Sequence, residues 1–287
     1  MNKTAPTDIY NTHFGFSERP FTLLPDPEFL FWSRDHRLAF TMLEYGMMTR
    51  APITVITGEV GAGKTTLLQY MLRTLGEEAD IGLISNAQGG RGELLQWVLH
   101  AFSVQFDPNF SYVQLFQQLQ EHMLDVYARG RRMVLIIDEA QNLTPETVEE
   151  LRMLTNINSN KDELLQLVLV GQPEFRDMIR QPGLRQFLQR VGASFHLGPM
   201  SPQTVAEYVA HRLGVAGGTG AEIDPAAIPL IHEVTGGVPR LVNQICDLAL
   251  VYAFSADQPA VTEQTVRSVL DDGVYLGGFA SERNPTQ

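Results

Sequence analysis

The stretch Gly58-Glu59-Val60-Gly61-Ala62-Gly63-Lys64-Thr65 matches the phosphate-binding P-loop pattern, in which a glycine-rich turn is followed by lysine and a hydroxyl residue. The β-branched run at 53–57 before it predicts a buried strand, and the residues from Thr66 to Leu72 predict the first turns of a helix. Strand, glycine loop and helix in this order are the arrangement that phosphate binding requires. A glycine-rich turn that fits the pattern by chance does not require both flanking elements.

Each group in this stretch has a role in the chemistry of nucleotide binding. Glycines allow backbone N–H groups to close around phosphate oxygens, and the start of the helix adds partial positive charge at the same place. We expect Lys64 to contact the β- and γ-phosphates and the Thr65 hydroxyl to bind Mg²⁺. The set predicted to bind a nucleoside triphosphate is Gly58, Glu59, Val60, Gly61, Ala62, Gly63, Lys64, Thr65 and Thr66.

The composition predicts a protein of the reducing cytoplasm with no membrane span of its own. The 287 residues allow one large domain or two smaller ones, and a hydrophobic content of 44% is enough for a core. No apolar run approaches the roughly 20 residues of a membrane helix, and the N-terminus lacks the apolar segment of a signal peptide. The single cysteine, Cys246, lies in an apolar helical pattern, which predicts a buried small hydrophobic residue.

The charge of the chain bears on its partners. A formal charge of −12 and a pI of about 5.0 argue against general binding of duplex DNA, which requires a basic face, although a local basic stripe is compatible with them. The seven histidines show no metal-ligand spacing, so no metal other than Mg²⁺ is expected.

The pattern along the chain predicts an α/β fold, in which a parallel sheet is covered by helices on both faces and is followed by helices alone. Strands are predicted at 53–57, 81–85, 133–137, 166–170 and 194–197, with helices between them near 64–75, 91–103, 111–129, 145–156 and 173–190. After Pro199, four amphipathic helices are predicted near 202–213, 225–235, 239–254 and 261–272. The predicted parts are an N-terminal segment at 1–50 that packs on the nucleotide-binding core, an α/β nucleotide-binding domain at 51–198, a small helical lid domain at 199–273 and a flexible tail at 274–287.

Two carboxylates follow the apolar run Met133–Ile137. We expect this strand to lie beside the P-loop strand, so that Asp138 orders Mg²⁺ and Glu139 polarises the attacking water as a general base. The alternative is a solvated strand end without a catalytic role.

A further polar residue follows the run at 166–170. Gln172 fits a residue that positions the attacking water and senses the γ-phosphate. Its alternative role is to cap the helix that begins at Pro173.

Three arginines are candidates for contacts with phosphate. Arg190, with Arg185 in reserve, is interpreted as an arginine finger that a neighbouring subunit supplies to the γ-phosphate, and the alternative is an ordinary surface charge. Gly236-Gly237-Val238-Pro239-Arg240 places Arg240 in a first helical turn, from which it can reach the phosphates. A plain helix-start arginine is the other interpretation, although that position is electrostatically poor for a cation.

These motifs stand in the order found in the AAA+ ATPases, and the chain resembles that family. More narrowly, it resembles the ExeA-like ATPases of the general secretion pathway protein A family over residues 8–272. The stretches that carry this resemblance are Phe14-Gly15-Phe16, Arg19-Pro20-Phe21, Pro25-Asp26-Pro27, Gly58–Thr66, Asp138–Leu143, Gly171–Glu174, Leu184–Arg190, Tyr208–Leu213 and Gly236–Arg240.

The resemblance implies ATP as the nucleotide, Mg²⁺ as its metal, assembly into a homo-oligomeric ring or filament, and hydrolysis that remodels a protein partner. It implies service to a secretion, pilus or exopolysaccharide machine. Many members of the family continue into a transmembrane helix and a periplasmic peptidoglycan-binding domain, whereas this sequence stops at residue 287 with neither. We therefore expect a cytoplasmic protein that a partner recruits to the inner membrane.

Two other functions remain open. One is a DNA-binding transposition regulator of the TniB/TnsC type, against which the acidic charge speaks. The other is a nucleotide-bound scaffold that scarcely hydrolyses, against which Glu139 speaks.

Overall fold

A computed structural model of the chain describes residues 9–24, 26–74, 79–85, 93–159 and 162–277. The chain divides into two compact units, of which one contains residues 34–59 and 67–197 and the other residues 1–33, 60–66 and 198–287. We call them the sheet unit and the helical unit. The start of the helix predicted at 91–103 and residues 278–287 of the predicted tail lie outside the described residues.

Five parallel strands form the sheet of the sheet unit, which confirms the predicted fold class. The strands of the described chain are β1 Ile53–Gly58, β2 Ala79–Ile84, β3 Arg132–Ile137, β4 Asn158–Ser159, β5 Asp162–Glu163, β6 Leu165–Gly171 and β7 Val191–Leu197. The order across the sheet is β2-β3-β6-β1-β7, and β4 and β5 form a separate antiparallel pair. Every residue of β1 and of β6 is buried, as expected for central strands covered on both faces.

The expectation that β3 lies beside the P-loop strand β1 is wrong. Strand β6 lies between them, pairing on one side with β1, through Ile53 and Leu167, and on the other with β3, through Met133 and Leu165. All three strands are apolar and almost wholly buried, so their composition does not determine which of them is central. The order depends instead on the connections between them.

Twelve α-helices occur among the described residues. They are α1 Asn11–Phe14, α2 Arg34–Met48, α3 Lys64–Thr74, α4 Leu94–Ala101, α5 Tyr112–Ala128, α6 Pro145–Leu154, α7 Pro173–Ile179, α8 Arg185–Leu188, α9 Pro202–Val215, α10 Ile228–Thr235, α11 Pro239–Ser255 and α12 Glu263–Asp271. The four helices predicted after Pro199 are confirmed as α9 to α12.

The single helix predicted over 173–190 is wrong. Helix α7 ends at Ile179, a 3-10 turn covers Pro182–Leu184, and α8 begins at Arg185. The break has a local cause, because Pro182 lacks a backbone N–H and Gln181 before it adopts the extended conformation that a following proline favours.

The helical unit has its own core, to which α9, α10, α11 and α12 contribute. Cys246 is fully buried in it, as predicted, and burial raises the pKa of its thiol far above the usual range. The thiol therefore stays protonated and acts as a small apolar group.

The predicted packing of residues 1–50 on the nucleotide-binding core is wrong for the first part of this segment. Phe16, Phe21 and Phe29 are buried in the core of the helical unit. Arg212 of α9 donates a hydrogen bond to the carbonyl oxygen of Pro20, and its guanidinium lies 4.6 Å from the centre of the Phe29 ring. The segment thus covers apolar surface of α9–α12. The spacing of its aromatic residues does not indicate which surface those residues cover.

No helix of the described residues is both long enough and apolar enough to cross a membrane.

The packing of the N-terminal segment leads to a stability prediction for the helical unit. Phe21→Ala should lower its free energy of unfolding by about 3–5 kcal/mol, because a fully buried ring is replaced by a cavity. The control Leu24→Ala should change it by no more than about 0.5 kcal/mol, since Leu24 is 81% exposed. Urea titration in a Trp97→Phe background measures this through Trp32, which lies in the helical unit. Equal transition midpoints for the two variants would contradict the described packing.

Candidate active site

The P-loop has the backbone conformation that its glycines permit. It leaves β1 at Gly58 and enters α3 at Lys64, which confirms the predicted strand, loop and helix. Gly61 and Gly63 have φ angles of +80° and +93°, in the left-handed region that residues with a Cβ rarely adopt. Lys64 is 8% exposed, so its ammonium group is held within the protein.

Arg240 lies against the P-loop within the helical unit. Its backbone N–H donates to the carbonyl oxygen of Gly61 at 3.2 Å. A Cβ at position 61 would lie 2.4 Å from the Cβ of Arg240, so only glycine permits this approach. The chain reaches α11 through Gly236 and Gly237, both with positive φ, and the Arg240 side chain is exposed. The predicted proximity of Arg240 to the P-loop is therefore present.

Asp138 and Glu139 follow β3 at the carboxyl edge of the sheet. Asp138 is 8% exposed; its N–H donates to the carbonyl oxygen of Ile84 at 2.9 Å, and its Oδ1 accepts the N–H of Glu139 at 2.9 Å. Glu139 has a φ of +57°, which is uncommon for a residue with a side chain. At this strand end the Asp138 carboxylate is held by a backbone hydrogen bond, and the backbone changes direction at Glu139.

Gln172 follows β6 at the same edge of the sheet. It occupies the N-cap position of α7, but its side chain makes no capping hydrogen bond. The side-chain Nε2 donates instead to Glu139 Oε2 at 3.1 Å. The Gln172 side chain therefore does not cap α7 and instead contacts the carboxylate of the predicted general base, while its role in positioning water stays a prediction.

Sequence reasoning gave no role to Gln141, which completes this cluster. Its Nε2 donates to Glu139 Oε2, and its Oε1 accepts the backbone N–H of Gln172 at 3.0 Å. The signal available in the sequence was an amide two residues after the predicted general base, within a turn rather than a helix or strand. Such a position has no periodicity from which a side-chain direction can be predicted.

The two candidate finger arginines differ in their surroundings. Arg190 Nη1 donates to the Thr155 carbonyl at 3.2 Å and to Glu163 Oε1 at 3.2 Å. Burial raises the pKa of the Glu163 carboxyl, and the guanidinium of Arg190 opposes that rise. Arg185 is exposed, and no described residue forms a hydrogen bond or ion pair with its side chain. The structure thus gives Arg190, the favoured candidate, partners in its own chain.

The residues present fit Mg²⁺ held together with a nucleotide. Among the described residues no group of three histidine, cysteine or acidic side chains could hold a metal on its own. Mg²⁺ with a nucleotide does not need one, because it is bound by one or two protein oxygens, phosphate oxygens and water. Thr65, in the first turn of α3, and Asp138 carry oxygen atoms of the kind that Mg²⁺ binds, and their role as its ligands stays a prediction.

Sequence comparison identifies relatives over most of the chain. A family model described as an AAA domain matches residues 47–179. The chain is 39% identical over 278 residues to general secretion pathway protein A of Aeromonas hydrophila, which is 94% of this chain and 51% of the relative. The chain therefore spans about half the length of the curated relative that it matches.

Comparison of structures shows the same fold in proteins of low sequence identity. Drosophila ORC bound to DNA is similar with a TM-score of 0.68 and 16% identity, covering 96% of this chain and 69% of that one. Cdc6p of Pyrobaculum aerophilum gives a TM-score of 0.65 and 17% identity, over 91% and 70% of the two chains. A Walker-type ATPase of Pyrococcus abyssi gives 0.56 and 16%, over 89% and 77%.

The P-loop, the paired carboxylates after β3 and the parallel sheet agree with both comparisons. The chain belongs to the AAA+ ATPases and, within them, to the ExeA-like group that contains general secretion pathway protein A.

Proposed function

We propose that this protein is a Mg²⁺-dependent ATPase that couples ATP binding and hydrolysis to the remodelling or assembly of a protein partner. The observation that carries the proposal is the Glu139 carboxylate, held at the end of β3 by the amide of Gln172 in a chain with a complete P-loop. A carboxylate with fixed orientation after this strand is what general-base activation of water requires.

Each predicted residue has a distinct task in hydrolysis. The P-loop amides and Lys64 hold the phosphates, and Thr65 and Asp138 hold Mg²⁺, which neutralises phosphate charge when bound. Glu139 accepts a proton from the attacking water. Gln172, which contacts Glu139, orients that water, and Arg240 reaches the phosphates from the start of α11.

The first test separates nucleotide binding from turnover. Lys64→Ala should abolish measurable ATP binding, because the phosphates lose their P-loop cation. Glu139→Gln should leave ATP affinity close to wild type and lower kcat by about 10²–10⁴-fold, since the shape survives and the base does not. Fluorescent-nucleotide titration and steady-state phosphate release measure the two quantities. Arg73→Ala, which removes an exposed cation of the same helix, is the control and should change neither. Near-normal turnover in Glu139→Gln would exclude Glu139 as the base.

We propose that the active sites are completed between subunits and that Arg185 is the finger. A finger must be available to a neighbour, and the exposed Arg185 side chain meets that condition. Arg190 would first have to leave Glu163 and the Thr155 carbonyl, so its role is to hold β5 to the end of α6. The relative named general secretion pathway protein A does not identify the finger.

Mixed assemblies test this arrangement. Arg185→Ala and Glu139→Gln should each be inactive alone, and mixing them should restore part of the ATPase activity, because some interfaces combine an intact base with an intact finger. Arg190→Ala should instead lower thermal stability and retain ATPase activity at temperatures where it stays folded. Mass photometry confirms that the subunits co-assemble. If co-assembled Arg185→Ala and Glu139→Gln stay inactive while Arg190→Ala and Glu139→Gln complement each other, the finger is Arg190.

The surface charges support a protein partner over nucleic acid. The segment Arg129-Gly130-Arg131-Arg132 is the densest basic run of the chain. Two of its three arginines and nearby Arg50 lie beside carboxylates: Arg129 beside Asp125, Arg131 3.6 Å from Asp80, and Arg50 3.1 Å from Asp162. A basic run in which two of three arginines are paired with carboxylates has less free charge to offer to DNA phosphates.

The relative's role in secretion supports a partner in a secretion or envelope machine, and we propose a cytoplasmic protein recruited to the inner membrane by that partner. The preference for protein is testable with the ATP-bound Glu139→Gln protein and duplex DNA. We expect no micromolar binding at physiological salt, because each neutralised phosphate contributes to a steep loss of affinity as salt rises. Fluorescence anisotropy at low and physiological salt measures it. Micromolar or tighter binding at physiological salt would favour the transposition-regulator alternative.

A further inference from the structure

Two side-chain amides donate to the same oxygen of the proposed base. The Nε2 atoms of Gln141 and Gln172 both bond to Glu139 Oε2, the latter at 3.1 Å. Hydrogen bonds to an ionised group are stronger than those between neutral groups. The direction of the Glu139 carboxylate is thus set by residues from two different segments of the chain.

Gln141 also connects those two segments directly. Its Oε1 accepts the backbone N–H of Gln172 at the start of α7, so one amide group bonds to the base and to the turn after β6. At Gly171, next to this bond, a Cβ would crowd the Cβ of Phe175 at 3.0 Å and would lie at an ordinary contact distance of 3.4 Å from the backbone nitrogen of Gln141. Glu139, Gln141 and Gln172 are thus linked to one another by three hydrogen bonds.

The backbone alone does not fix the base. Glu139 has a left-handed conformation with φ of +57°, and the 3-10 turn Ala140–Asn142 begins directly after it. This conformation is strained for a residue with a side chain and persists only where surrounding contacts hold it. The bonds made by Gln141 are contacts of that kind at this turn.

We infer that Gln141 is a positioning residue for hydrolysis: it holds the Glu139 carboxylate in its working direction and ties it to Gln172. Glu139 and Gln172, the residue proposed to sense the γ-phosphate, then move together. Through Gln141, the orientation of the base therefore depends on the bound nucleotide. The inference rests on the proposed ATPase function and deepens it. The Gln141 side chain is half-buried, and within the described part of the chain it bonds to Glu139 and Gln172 and to no other residue.

Gln141→Leu is the direct test, with Gln141→Met as a second variant closer in shape. Each should lower kcat about 10- to 100-fold, which is the loss of one hydrogen bond to a charged group, while ATP affinity and the melting temperature stay close to wild type. Gln203→Leu is the matched control, because Gln203 also donates an amide hydrogen bond to a glutamate, Glu207, on the exposed face of α9. It should leave kcat unchanged.

A structural role and a positioning role differ in how Gln141 and Glu139 combine. If Gln141 acts through Glu139, Gln141→Leu should have no further effect on single-turnover hydrolysis in the Glu139→Gln background, where the base is already absent. A 10-fold or larger further loss there would show that Gln141 acts otherwise and would overturn the inference. Normal or increased kcat in both single variants of Gln141 would do the same. Failure of the wild-type protein to hydrolyse ATP would overturn the proposed function and this inference together, whereas loss of turnover in Glu139→Gln but not in Gln141→Leu would overturn the inference alone.

Discussion

Parallel pairing of β1, β6 and β3 is the constraint on which the site depends. In a parallel sheet all strands end at the same edge, so residues that follow distant strands become neighbours there. The register determines how the strand ends align along this edge, since Thr57 pairs with Gly171 and Leu169 pairs with Ile137. Glu139 and Gln172 each follow closely after these paired positions, and their side chains meet at 3.1 Å. A shift of one residue in the pairing of β3 and β6 would separate the carboxylate from the amide, because alternate residues point to opposite faces.

The parts of the site that sequence reasoning identified are those encoded by contiguous residues. The P-loop is one uninterrupted stretch, and its flanking strand and helix are adjacent in the chain. Asp138 and Glu139 were identified because an apolar strand ended in charge. The order of the strands was not predictable in the same way, since β1, β3 and β6 are equally apolar and only the chain connections decide which is central. Gln141 could not be assigned a role either, because its direction depends on the unusual backbone of Glu139 before it.

The sequence shows which side chains are charged, but it does not show which of them form ion pairs with one another. Arg190 and Arg185 are the same residue type and lie five positions apart in the sequence. Arg190 is bonded to Glu163, which lies in β5, and the pair of two-residue strands β4 and β5 is too short to produce a pattern. The aromatic residues of the N-terminal segment present the same difficulty: their burial was predictable, but the surface that covers them was not, because apolar contacts have no direction. Ion-pair partners and apolar contacts between residues far apart in the sequence are determined only in the folded protein.

A hydrogen bond between Arg240 and Gly61 joins the start of α11 to the P-loop, of which residues 60–66 belong to the helical unit. It is formed by backbone atoms, so it survives substitution of the Arg240 side chain, and its close approach requires glycine at position 61. Helix α11, in whose first turn Arg240 lies, continues into the core of the helical unit, where its buried residues include Ile245, Cys246 and Leu250. Because packed cores resist continuous deformation, a displacement of that core has to carry the start of α11 with it. Residues 60–66 of the P-loop are therefore held by a backbone hydrogen bond to the core of the unit that also contains the aromatic residues of the N-terminal segment.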